Sequence, residues 1–143
     1  MAGFTNPQAQ EVLEHLLAVE AWTYSANIYG LLGLSTSTPD DTGDIVDWKE
    51  PVGGAYARIP VNHTAAGWAF TTGTTSVDAK NANQLAYATA TADWGTVSYF
   101  GISLSGTTEG GSVIMWGTMS TPKEILTDDQ AILAANGITI TLG

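Results

Sequence analysis

Thr91-Ala92-Asp93-Trp94-Gly95-Thr96-Val97-Ser98-Tyr99-Phe100-Gly101-Ile102-Ser103-Leu104 opens as a turn and closes as a strand. Asp93 and Gly95 suit a turn, because Asp bonds to nearby backbone and Gly accepts positive φ. From Val97 the apolar residues alternate through Tyr99, slip at Phe100-Gly101 and resume at Ile102 and Leu104. A glycine inside such a pattern marks a bulge or a close backbone approach. No nucleophile stands beside a base in this stretch, so it reads as architecture.

The same pattern extends outward. Ile28 to Ser35 reads as a strand interrupted by Gly30 and Gly33, and Thr36 to Asp47 as a polar loop. Gly53-Gly54 leads into Ala55 to Val61, with Tyr56 and Arg58 on one face and Pro60 calling for a sheet edge. Further strands are expected at Trp68-Ala69-Phe70, Leu85 to Thr89 and Ser112 to Met119. Shorter ones are expected at Lys123-Glu124-Ile125 and Ala131-Ile132-Leu133. Asn136-Gly137 is a turn before a last strand that alternates Ile138, Ile140 and Leu142 with Thr139 and Thr141. Turn signals recurring at roughly 8–12 residues are those of a sandwich or barrel. Thr64 to Asn83 is the least readable segment apart from its Trp68–Phe70 strand.

One helix stands apart. Asn6 suits a cap and Pro7 the first helical position. Ala9, Val12, Leu13, Leu16 and Leu17 then form an apolar stripe at helical spacing, through about Val19. The fold class expected is all-β: an antiparallel β-sandwich, jelly-roll-like, with one N-terminal α-helix. Residues 1–26 read as helix and arm, and 27–143 as a single β-sandwich domain.

Composition bounds the function. The chain has 143 residues, enough for one domain with a core, and 44% are hydrophobic. Only 13% are charged, against about 25% in ordinary soluble domains. Sparse charge leaves surface suited to burial against other subunits. The net charge is −10, with Lys49, Arg58, Lys80 and Lys123 the four cations. Nucleic-acid binding needs a basic footprint, and none is visible. There are no cysteines, so disulfide frameworks and thiolate chemistry are excluded. No signal peptide is visible at the N-terminus and no apolar run suits a membrane span, so synthesis in a host cytoplasm is expected.

Four pieces in order resemble a family of small virion proteins of tailed bacteriophages, often labelled tail fibre protein. They are Ile28-Tyr29-Gly30-Leu31-Leu32-Gly33-Leu34-Ser35-Thr36 with Thr38-Pro39, Gly53-Gly54-Ala55-Tyr56-Ala57-Arg58, the opening stretch, and Val113-Ile114-Met115-Trp116-Gly117 with Thr121-Pro122-Lys123. The terminal Gly137-Ile138-Thr139-Ile140-Thr141-Leu142 fits as well. Similar small β proteins serve as capsid decoration or cement subunits. The resemblance implies a structural role in a virion.

Chemistry is sparse. His15 lies on the helix and His63 in a loop, with no local triad arrangement. Asp40, Asp41, Asp44 and Asp47 form an acidic loop that reads as solvated; its spacing is not that of a calcium-binding EF-hand. No catalytic residue, cofactor or metal is expected. Among five tryptophans, Trp94 and Trp116 read as core, while Trp22 and Trp48 read as interface or glycan-stacking candidates. The expected interface set is Leu13, Leu16, Leu17, Trp22, Tyr24 and Trp48. The expected function is a non-enzymatic decoration or cement subunit, a homo-oligomer, as a trimer, docked on the major capsid protein at the capsid exterior. The alternative is a tail-associated or fibre component that contacts host glycans. Neither reading involves nucleic acid or membrane.

Overall fold

The structure, a computed structural model, describes residues 3–17 and 27–142. In chain order its elements are β1 (Gly3–Phe4), α1 (Asn6–Leu16), β2 (Ile28–Leu34), a single 3-10 turn (Ile45–Asp47), β3 (Ile59–Val61), β4 (Trp68–Thr72), β5 (Val77–Asn81), β6 (Leu85–Thr89), β7 (Gly95–Ser103), β8 (Val113–Ile125), β9 (Gln130–Leu133) and β10 (Thr139–Leu142). All strand pairs are antiparallel. One layer is a five-stranded sheet ordered β1-β8-β7-β2-β3. A three-stranded sheet, β10-β5-β4, and a β6–β9 ribbon pack against the main core on one face of it. The protein is an all-β sandwich with an N-terminal helix, as its alternating pattern predicts.

The opening stretch becomes β7, the middle strand of the large sheet, buried on both faces. Phe100 and Ile102 point into the main core with Leu32, Tyr87, Trp94, Ile125 and Ile138. The opposite face carries a smaller cluster of Leu31, Trp48 and Val113. The register shifts lie between Val97 and Tyr99 and between Ile102 and Ser103, not at Phe100-Gly101. Gly101 is instead a close approach: a Cβ there would stand 3.0 Å from Trp48 Cη2.

Local signals place most elements. Pro60 sits in β3, an edge strand, where its missing N–H breaks no ladder. Asn136, with φ 61°, makes the expected turn before β10. Trp94 is core as expected, but it lies in the turn before β7 rather than in a strand.

Other elements differ from the sequence reading. Lys123-Glu124-Ile125 is the end of β8, continuous through Pro122. Ala55–Arg58 is not strand; Tyr56 and Arg58 are drawn inward by Glu50 instead. β5 lies in the unreadable segment, where polar Asp78, Lys80 and Asn81 hide its period. The helix cap is Thr5 rather than Asn6. Thr5 Oγ1 does not cap the helix; it donates to Ile114 O, tying the N-terminus to β8.

Candidate docking surface

The Trp48 side of the large sheet is sealed. The Trp48 indole lies over the backbone of Gly33 and Gly101, where any side chain would collide with it. Its Nε1 donates to Leu32 O at 3.1 Å. Trp48 is only 2% exposed, so it is not available to a partner or a sugar ring. This corrects the interface assignment: an acidic neighbourhood in sequence does not expose a side chain that two glycines make room for.

A buried ion pair closes the adjacent end. Arg58 Nη2 meets Glu50 Oε2 at 2.7 Å with both side chains fully buried. The Glu50 carboxylate also accepts Tyr56 Oη–H at 2.7 Å and the Glu109 N–H at 2.7 Å. Arg58 Nη1 donates to Ser105 O and Gly110 O, both at 2.8 Å. The pair thus fastens the 105–110 loop between β7 and β8 to the body. Burial, with Tyr87 and Glu50 nearby, holds the Tyr56 hydroxyl far above the ordinary tyrosine range. Tyr87, stacked on Tyr56 at 6.0 Å, is raised for the same leading reason, and its buried hydroxyl has no protein partner. The polar groups around Glu50 hold structure together: its carboxylate joins Tyr56, Arg58 and the Glu109 backbone from three separate points of the chain.

The acidic loop is also engaged locally. Asp40 accepts from Thr42 N and Oγ1, which lowers its pKa, and Asp44 caps the 3-10 turn at Val46 N. Among the described residues no group of three or more acidic or histidine side chains is placed to hold a metal ion. His15 and His63 are exposed on separate elements.

The other side of the sandwich is open. A groove of about 750 Å³ runs between β8 and the β9–β10 side of the opposing layer. Leu32, Phe100 and Ile102 form its floor, and Met119, Ile132 and Ile140 are among its walls. Its lining contains one charge, Lys123, and no acid. None of these wall residues stands in the expected interface set. They lie on three strands that only the fold brings side by side.

The second uncovered surface is α1. Gln8 is buried and Ala9 and Val12 are half-buried. The stripe then runs off the body: Leu13, Leu16 and Leu17 are 58%, 72% and 73% exposed. These three leucines of the expected interface set thus form a face that the described body leaves mostly exposed. Trp22 and Tyr24 lie outside the described residues.

Fold and surfaces together define the class: a small antiparallel β-sandwich whose polar centre is closed and whose apolar edges are not. The chain belongs to the family described as Podophage GP4 fiber I protein gp80, whose model matches residues 3–141. It is therefore a structural protein of a tailed-phage virion. No curated protein matches it.

Proposed function

We propose that this chain is a non-enzymatic, self-associating subunit of the phage particle, held in place by burial of its α1 leucines. The exposed Leu13–Leu16–Leu17 stripe carries this reading. Moving a leucine side chain out of water contributes roughly 1.5–3 kcal/mol. Three such contacts, repeated over many copies, let modest single contacts add into firm attachment. The family name supports a place in a fibre or its attachment. A second reading, a capsid decoration subunit bound as a trimer to the major capsid protein, is favoured by the short sandwich body and the absence of sequence repeats.

Imaging of purified particles separates the two by copy number: hundreds of copies indicate the shell, a few dozen or fewer indicate a tail or fibre. Because β1 pairs with β8, deleting residues 1–26 also removes an edge strand. Point changes are the cleaner test. Leu13→Asp/Leu16→Asp/Leu17→Asp is expected to fold but to be lost from particles. Normal incorporation of that variant, or turnover of a host polysaccharide by the purified chain, would overturn the proposal.

A further inference from the structure

We infer that the apolar groove between β8 and β9–β10 receives helix α1 of a second copy, joining subunits head to tail. Three observations meet here. The first is shape and chemistry. The groove is walled by Met119, Ile132 and Ile140 over a floor of Phe100 and Ile102. An amphipathic helix enters such a groove through anchors at i, i+3 and i+4. Leu13, Leu16 and Leu17 have that spacing and are uncovered. An 11-residue helix is about 16 Å long, shorter than the 13-residue strand that forms one wall.

The second observation is charge. The chain carries 14 acidic residues, yet the groove lining includes none and does include Lys123. Helix α1 carries Glu11 and Glu14 beside its leucines. An acidic, leucine-faced helix and an acid-free groove with a lysine at its wall are complementary in sign as well as in polarity.

The third observation is placement. α1 is rooted on the Trp48 side of the large sheet: Asn6 N donates to Asp41 O, and Trp116 Nε1 donates to Asp40 O in the same loop. The groove opens on the opposite face, over Leu32, Phe100 and Ile102. The root of α1 therefore lies across the large sheet from the groove floor, with Trp116 of β8 bordering both. Pairing two different patches of one chain is a heterologous contact, which closes into a ring when the rotation permits.

The inference rests on the proposed function only in taking the leucines as a surface buried in assembly, and it is tested on purified protein without particles. The mass of the full chain in solution is measured by light scattering or sedimentation at high micromolar concentration. Leu16→Asp spoils the helix and Ile132→Asp spoils the groove; both residues are at least half exposed, so both variants should melt as the wild type does. The wild type is expected to be oligomeric and each variant to run as a single chain. Mixing the two variants should restore a dimer and nothing larger, because one sound helix and one sound groove remain. Lys123→Glu should weaken self-association by up to about fivefold, in line with a surface ion pair.

A wild type that stays monomeric would overturn the inference, whether α1 folds onto its own groove or meets another virion protein. So would a mixture that fails to pair. If the monomer nonetheless enters particles in a leucine-dependent way, the groove assignment falls and the proposed function stands. If incorporation also ignores the leucines, both fall.

Discussion

One face of the five-stranded sheet is closed by an indole laid over two glycines, while the other is covered along only part of its width. The Trp48 face and the adjoining Glu50–Arg58 end have their polar groups answered within the chain: Trp48 by Leu32, Glu50 by Arg58, Tyr56 and Glu109. The open face ends in a groove of about 750 Å³, and the helix beside the sheet carries leucines that the described body leaves mostly exposed. The floor of that groove belongs to the main core, so the proposed assembly draws on its exposed rim and on the α1 leucines. Changes at the buried Trp48 and Glu50–Arg58 positions should unfold the subunit, and changes at the exposed groove rim or on α1 should spare the subunit and alter what it joins.

The sharpest break in that contrast comes from the closed side. Arg58→Met leaves the Glu50 carboxylate buried without its cation, which is expected to cost about 3–5 kcal/mol in a urea melt. Trp48→Ala removes the cover over Gly33 and Gly101 and should cost a similar amount, about 3–5 kcal/mol. A loss below 1 kcal/mol for either would show that the closed side does not hold the fold.

A smaller effect separates the two stacked tyrosines. Tyr56→Phe removes a hydroxyl bonded to Glu50 and to Leu32 N–H, so a loss of about 1–2 kcal/mol is expected. Tyr87→Phe removes a buried hydroxyl with no protein partner, and should be neutral or stabilising by up to about 1 kcal/mol. Equal losses at both positions would contradict the bonding described. Titration carries the same contrast. Both hydroxyls are held neutral in the fold, well above the ordinary value of 10.0. Their contribution is complete below that pH and is lost as pH rises beyond it toward the folded values. Thermal melts should therefore fall more steeply above pH 10 in the wild type than in Tyr56→Phe/Tyr87→Phe.

The smallest changes in stability belong to exposed positions. Phe70, 69% exposed on β4, can become Thr with a shift within about 0.5 kcal/mol. Asp93 gives a faint acid signature. Thr127 N–H and Oγ1–H bond to its carboxylate and lower its pKa. Its contribution is present above the ordinary value of 3.8 and is lost as pH falls through the folded one. Asp93→Asn should lower the melt slightly at neutral pH and make it less sensitive to acid below pH 4, so that the two proteins converge there.

Much of this molecule is legible in its sequence because much of it is local. The period-two runs at Ile28–Leu34 and Val97–Ser103 face a core, and they are strands. Pro60 marks an edge because it lacks a donor. The leucine stripe of α1 is visible as a stripe, although its periodicity alone does not say whether the body covers it. Trp48 shows where this kind of reading fails. Its neighbours in sequence are acidic and polar, and its neighbours in space are Gly33, Gly101 and Tyr99.

The amino-acid order by itself determined most of the strands, the turn before β10, the N-terminal helix, the acidic and cysteine-free character, and the family resemblance. Each of these is a property of residues next to one another or of the whole composition. Tertiary structure alone decided that Glu50 binds Arg58 and the Glu109 N–H, 59 positions away, that Trp48 is sealed, and that Met119, Ile132 and Ile140 line one groove. Those facts depend on the order in which strands lie side by side, and that order is set by packing between segments far apart in the chain, which no local period encodes.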